Sequence, residues 1–129
     1  MKIIICYTSL LSLFYVFLSI RTLLKRRKLK ISVGDNGNSE MLRAMRVHAN
    51  FSEYVPLALF LIYLTLLQGA SDFIIHFLML TLFVGRISHA YGVSQTKENF
   101  FFRVSGMALT FTVLISSSSF LLFSAFKDS

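Results

Sequence analysis

Four long apolar stretches alternate with short polar segments along the chain. The apolar stretches cover about residues 3–24, 43–67, 73–91 and 104–126. Each is long enough, at about 1.5 Å of rise per helical residue, to cross roughly 30 Å of hydrocarbon. Because the connections are short, consecutive helices are expected to pack antiparallel. The pattern predicts an all-α protein, an integral membrane four-helix bundle with up-down-up-down topology, formed as a single domain over residues 1–129.

The second stretch carries a polar stripe where it enters the membrane. Four polar side chains at spacing i, i+4, i+7 and i+8 share one helix face there: Arg46, Asn50, Glu53 and Tyr54. Ionisable groups at this depth are costly, and they normally face a bundle interior or a wet cavity and have a partner. We expect the partner of Glu53 to be Arg86 of the third stretch, by depth, or Arg46 on the same helix.

Composition and charge support a membrane protein. The chain is 55% hydrophobic, has 14 Phe and a mean hydropathy of +0.68, values that exclude a soluble enzyme domain and a disordered chain. Of the 13 Lys and Arg, eleven lie on the side of the first and third connections, and only Lys2 and Lys127 lie on the other side. Cytoplasmic loops retain positive charge, so these two connections are predicted to be cytoplasmic and both termini outside.

The formal charge of +7 therefore reflects topology and attraction to lipid headgroups, and it requires no nucleic acid partner. The short connections and the minimal tail favour a multi-pass protein of a bacterial inner membrane over one of the endoplasmic reticulum.

The positive charges of the arginines near the cytoplasmic side exceed the single negative charge of Glu53. Five of them reach this level: Arg26, Arg43, Arg46, Arg86 and Arg103. Arginine binds carboxylates through two parallel hydrogen bonds, so a ligand with two carboxylates and one ammonium would match several arginines and one glutamate. Glutathione has this charge pattern. The competing interpretation is a buried ion pair of Glu53 that fixes helix register and has no other role.

The polar stripe also resembles a known signature. Residues 46–56, RVHANFSEYVP, contain the pattern R-x-x-x-N-x-x-E-Y-x-P of the MAPEG family, the membrane-associated proteins in eicosanoid and glutathione metabolism. Residues 85–92, GRISHAYG, and 102–107, FRVSGM, look like the end of the third helix and the start of the fourth helix in this family. The resemblance covers essentially the whole chain, and it is greatest to the short bacterial members.

The resemblance implies a homotrimer that binds glutathione, as a cosubstrate, on the cytoplasmic side between neighbouring protomers. The polar stripe would contact the ligand, with Glu53 taking its ammonium. Arg103 is similar to the arginine that holds the thiolate, and Arg26 is placed like an assisting arginine. A cation beside sulfur lowers the pKa of a thiol and so creates the nucleophile. His89 lies three residues after Arg86 on the same face, which predicts that both line the cavity.

The predicted function is a glutathione transferase or glutathione-dependent peroxidase that acts on lipophilic electrophiles or hydroperoxides from the bilayer. His89 and Val93 stand where catalytically studied relatives have tyrosines, and the family includes a noncatalytic lipid-presenting protein. A noncatalytic membrane binding or scaffold protein therefore stays open. A small four-span exporter is a third alternative, although its carboxylate would be expected alone near the centre of a span, whereas Glu53 lies near one end.

No metal site is predicted. Two of the three histidines, His48 and His76, do not form a ligand cluster with carboxylates or with the only cysteine, Cys6. His48 lies off the polar stripe and is expected to be a packing or interfacial residue.

Overall fold

The computed structural model describes residues 1–127 and contains four α-helices. Their bounds are α1 Lys2–Leu29, α2 Ser39–Leu67, α3 Asp72–Ser94 and α4 Phe100–Lys127. All four are long and apolar enough to cross a membrane, which confirms the predicted all-α multi-pass membrane protein. Each predicted span lies within one helix, and the helices extend beyond the spans into the polar flanks. Residues 128–129 of the predicted domain lie outside the described residues.

Local polar groups set the helix ends. Helix α1 ends at Leu29 and is capped by Lys30, which has a left-handed backbone (φ 55°) and whose N–H bonds back to the last turn. Helix α2 begins after Asn38, whose side chain accepts a hydrogen bond of 3.0 Å from the N–H of Met41. Helix α3 begins after Ser71, whose hydroxyl accepts from the N–H of Ile74. With these bounds, the polar start of α2 and the end of α3 lie at the same end of the bundle.

Helices α3 and α4 share the most extensive interface, and α2 contacts the other three helices. The interface between α3 and α4 is close because glycines stand where the two backbones meet. A Cβ atom on Gly106 would clash with the backbone of His89 and Gly85, and one on Gly92 would clash with the backbone of Arg103. The close approach places the end of α3 directly beside the start of α4, where the site is found.

The faces that point away from the bundle are apolar. Large hydrophobic side chains are exposed on every helix, for example Leu13, Leu57, Phe77 and Ile115. Exposed side chains of this kind, on helices of membrane-spanning length, are the surface that lipid covers.

Candidate functional site

A cavity of about 280 Å³ opens at the end of the bundle where α2 starts, α3 ends and α4 begins. Its polar wall combines residues of all three helices and of the connection between α3 and α4. The polar lining residues are Ser39, Arg43, Arg46, Asn50, His89, Glu98 and Arg103. We call this space the polar cavity. It brings together four residues that the sequence singles out as ligand-contacting or catalytic: Arg46, Asn50, His89 and Arg103.

Only part of the polar stripe faces the polar cavity. The buried side of α2 is apolar and includes Val47, Phe51 and Val55, whereas the stripe lies on a different face. Asn50, which is half-buried, and Arg46, which is exposed, line the polar cavity, whereas Glu53 is exposed in the single chain and does not line it. Within the single chain, the expectation that the stripe faces the bundle interior or a cavity is therefore wrong for Glu53, because the rotation of α2 turns its apolar side inward.

Glu53 pairs with Arg46 and not with Arg86. The Arg46 Nη1 atom lies 3.9 Å from Glu53 Oε1, and the two side chains are 59% and 48% exposed. Arg86, the partner expected from depth, lies on the buried side of α3, where it reaches Asn50 instead. A half-exposed pair at this distance contributes little to stability, so it is not the buried, register-fixing pair considered above.

Arg86 is a charged group in the core of the bundle. It is 1% exposed, and its Nη2 donates a hydrogen bond of 3.0 Å to Oδ1 of Asn50 and a longer contact of 3.9 Å to the Met107 sulfur. Its Nε and Nη1 have no hydrogen-bond partner within residues 1–127. Arg86 thus lies behind Asn50, and it is Asn50 that borders the polar cavity.

Arg103, at the start of α4, is already paired. Its Nη1 lies 3.0 and 3.1 Å from the two carboxylate oxygens of Glu98. Glu98 belongs to the short connection between α3 and α4, and sequence reasoning missed it because that segment was treated only as a turn. The signal that points to it is a carboxylate five residues before an arginine at a helix start.

The two positions where tyrosines were expected lie in the wall of the polar cavity. His89 and Val93 are both buried and both line it, so neither position supplies a phenolic hydroxyl. Tyr91 does not replace them, because it is exposed and packs edge-on against Phe102, with ring centroids 5.1 Å apart. Of the two, only His89 brings a hydrogen-bonding group to the polar cavity at this level.

Tyr54 and Arg26 do not line the polar cavity in the single chain. Tyr54 packs edge-on against Phe111 of α4, with ring centroids 5.7 Å apart. Arg26 binds the first connection, where its Nη1 donates to the Gly34 carbonyl oxygen at 2.8 Å. This contact holds the connection against the end of α1, and it leaves Arg26 apart from the residues that it was predicted to assist.

His48 packs against α1, as expected. Its ring is stacked on that of Tyr15, with centroids 4.8 Å apart, and its Nε2 lies 3.0 Å from the Ser19 hydroxyl.

The polar cavity suits an anionic ligand. It has three guanidinium groups, from Arg43, Arg46 and Arg103, against the one carboxylate of Glu98. Guanidinium groups hold carboxylates through charge-assisted hydrogen bonds. No group of three or more His, Cys, Asp or Glu placed to hold a metal ion occurs in the part of the chain that the structure describes.

Comparison with known proteins gives two findings. Residues 4–123, which reach into all four helices, match the MAPEG family. The inner membrane protein YecN of Escherichia coli K12 is 32% identical over 109 residues, which cover 84% of this chain and 82% of the relative. YecN of Escherichia coli O6:H1 matches with the same identity and coverage.

Proposed function

The chain belongs to the MAPEG family, and from this premise we propose that it binds glutathione within the membrane and uses it as a cosubstrate in a transferase or peroxidase reaction. The observation that carries the proposal is the polar cavity, where Arg46, Asn50, His89 and Arg103 come together from three helices. An excess of guanidinium groups beside an amide suits a ligand with two carboxylates.

Arg103 is the residue proposed to activate the ligand. A guanidinium beside the glutathione sulfur favours the thiolate over the thiol and thereby lowers the thiol pKa. In a transferase reaction the thiolate forms a bond to an electrophilic carbon, and the leaving group departs with its electron pair. In a peroxidase reaction two glutathione molecules supply the two electrons that reduce the hydroperoxide, and they are joined as a disulfide.

A homotrimer is part of the proposal, since a neighbouring protomer would complete the site. The polar cavity of one chain, about 280 Å³, is just below the size of roughly 300 Å³ at which ligand pockets begin. Arg46 and Glu53 are exposed at a depth where ionisable groups are normally covered. Arg26 lies away from the polar cavity of its own chain, so an assisting role for it requires a neighbour.

The lipophilic substrate is proposed to enter from the bilayer, which the apolar outer faces of the helices contact. A location in a bacterial inner membrane, predicted from the short connections, agrees with the description of the relative YecN as an inner membrane protein.

Two observations favour the noncatalytic alternative. The polar cavity lacks a tyrosine at the positions of His89 and Val93, and Arg103 is occupied by Glu98. A binding or scaffold protein would keep this arrangement without activating a thiol. The exporter alternative has less support, because Glu53 forms an exposed pair with Arg46 rather than standing alone near the centre of a span.

The test is stopped-flow absorbance in the far ultraviolet, where a thiolate absorbs, on detergent-purified protein mixed with glutathione at neutral pH. Wild type is compared with Arg103→Ala and with Arg27→Ala, a matched loss of an exposed arginine outside the polar cavity. Because Arg103→Ala leaves Glu98 unpaired, the double variant Glu98→Gln/Arg103→Ala separates the lost cation from the exposed carboxylate.

Thiolate that forms in wild type and Arg27→Ala but not in the two Arg103 variants supports a glutathione-activating enzyme. Calorimetric binding of glutathione without thiolate formation supports the noncatalytic alternative. If the folded wild-type protein neither binds glutathione nor forms thiolate, the proposed function is wrong.

A further inference from the structure

The ion pair between Glu98 and Arg103 lies inside the polar cavity. Both residues line it, and a single nitrogen of Arg103 bonds both carboxylate oxygens, at 3.0 and 3.1 Å. The side chains are 29% exposed for Glu98 and 47% exposed for Arg103, so ligand and solvent can reach the pair. An anion that approaches Arg103 therefore meets a carboxylate that already occupies the guanidinium.

The other arginines of the polar cavity are more available. Arg43 forms no ion pair with any residue of the described chain, 1–127, and Arg46 forms only the 3.9 Å contact to Glu53. Arg103 is thus the one guanidinium of the polar cavity that an internal carboxylate neutralises at short range. A ligand can bind Arg43 and Arg46 directly, but it can bind Arg103 only if it displaces the carboxylate of Glu98.

The backbone next to Glu98 is fixed. The N–H of Asn99 donates to the Gly92 carbonyl oxygen at 3.1 Å, and the N–H of Arg103 donates to the Asn99 carbonyl oxygen at 3.1 Å. The side chain of Asn99 also accepts from the N–H of Phe102. Gly92 permits this contact, because a Cβ atom there would clash with the Arg103 backbone. These bonds anchor the end of the connection at Asn99, so rotation of the Glu98 side chain is sufficient for it to leave Arg103.

We propose that Glu98 is an internal competitor that occupies Arg103 in the ligand-free protein and is displaced by the anionic group of the ligand. Glu98 thereby lowers the affinity for anions and selects those that bind Arg103 better than a carboxylate does. It acts through Arg103 and is a specificity-determining residue rather than a catalytic one. The identity of the displacing group as glutathione rests on the proposed function, whereas the competition itself requires only an anion.

The test measures the dissociation constants of glutathione and of inorganic sulfate by calorimetry at low salt, on the full chain in detergent. The variants are Glu98→Gln, Glu40→Gln and Glu98→Gln in an Arg103→Gln background. Glu40 is the matched control, since it pairs with Lys25 at 3.1 Å outside the polar cavity and its substitution removes the same charge. Size-exclusion profiles establish that each variant is folded.

We expect Glu98→Gln to bind both anions about fivefold more tightly than wild type, which is the effect of freeing a half-exposed ion pair. Glu40→Gln should bind like wild type, and the gain should vanish in the Arg103→Gln background. Unchanged or weaker binding of both anions by Glu98→Gln would overturn the proposal. Weaker binding of glutathione alone would overturn it for glutathione, because Glu98 would then hold the ammonium of the ligand instead of competing with it.

The two proposals fail separately. If no variant binds glutathione but Glu98→Gln gains sulfate affinity through Arg103, the competition stands and the proposed function is wrong. If wild type binds glutathione and Glu98→Gln gains nothing with either anion, the proposed function stands and the competition is wrong.

Discussion

Arg86 and Asn50 are joined by a hydrogen bond of 3.0 Å from the guanidinium Nη2 to the amide Oδ1. Arg86 is almost wholly buried, whereas Asn50 also borders the polar cavity. The bond fixes which end of the Asn50 amide faces inward, so that its NH₂ group is left for a ligand. A buried charge thus orients a residue of the site, although the sequence had suggested that Arg86 itself contacts the ligand.

Replacing Asn50 tests this relationship. Asn50→Leu removes the strongest hydrogen bond of the buried Arg86 and should lower the free energy of unfolding by about 2 kcal/mol, the value of a hydrogen bond to a charged group. Asn50→Asp keeps an acceptor and adds a counter-charge, so it should be at least as stable as wild type. Thermal unfolding in detergent measures both. Equal losses for the two variants would show that Arg86 does not depend on this acceptor.

The close contact between α3 and α4 depends on Gly106, which has no side chain. In Gly106→Ala the added methyl group would clash with the backbone of His89 and Gly85, which cannot move as a flexible side chain can. We expect a loss of about 2 kcal/mol in the free energy of unfolding, as for other overpacked interiors. Ser119→Ala, an exposed position on the same helix, is the control and should leave the thermal midpoint unchanged. A Gly106→Ala protein as stable as this control would contradict the close approach.

Replacement of Ser117 is expected to stabilise the protein, in contrast to that of Gly106. Its side chain is fully buried, and its hydroxyl has no hydrogen-bond partner within residues 1–127. Removing an unsatisfied buried hydroxyl relieves its desolvation, so Ser117→Ala should raise the free energy of unfolding by about 1 kcal/mol. The same thermal assay applies. A fall in the midpoint would mean that the hydroxyl bonds a partner in the assembled protein.

The hydrocarbon thickness of the membrane is the reason why the four helices are predictable from sequence. A helix must supply about 20 apolar residues to span it, and four such stretches leave no other architecture for this length. Helical spacing also predicts that Arg46 and Asn50 lie together, and the family resemblance adds Arg103. Antiparallel packing of consecutive helices places them at the same end of the bundle, and the structure shows that they line one cavity.

The rotation of each helix about its axis is what the sequence left open. Depth in the membrane predicts the level at which Arg86 and Glu53 lie, but not the side of the helix on which each points. Of the two partners expected for Glu53, Arg86 is therefore wrong, whereas Arg46 on the same helix is confirmed. Glu98 lies in a connection without helical periodicity, so only its spacing of five residues from Arg103 relates the two in the sequence. Arg26 bonds the first connection, whose path is set by turn geometry rather than by a helical repeat.

Replacement of Glu53 distinguishes between a structural role and a ligand-binding role of this residue. Its pair with Arg46 is half-exposed and 3.9 Å long, so Glu53→Gln should change the free energy of unfolding by less than about 1 kcal/mol. If Glu53 takes the ammonium of glutathione, the same variant should bind glutathione on the order of tenfold more weakly, because a charge-assisted hydrogen bond is lost. Calorimetry and thermal unfolding together decide between the roles. A large stability loss with unchanged binding would make Glu53 structural.

The distribution of charge predicts the orientation of the chain in the membrane, and this prediction can be tested directly. Eleven of the 13 Lys and Arg lie on the side of the first and third connections, and positively charged loops stay in the cytoplasm. Alkaline phosphatase, which needs disulfides and is active only outside the cytoplasm, should therefore be active when fused after Lys127 and inactive when fused after Asn36 in the first connection. Green fluorescent protein at the same two positions should give the reverse result, with fluorescence only after Asn36. Activity of the phosphatase at Asn36 would invert the topology and would place the polar cavity, which opens beside the start of α2, on the outer side of the membrane.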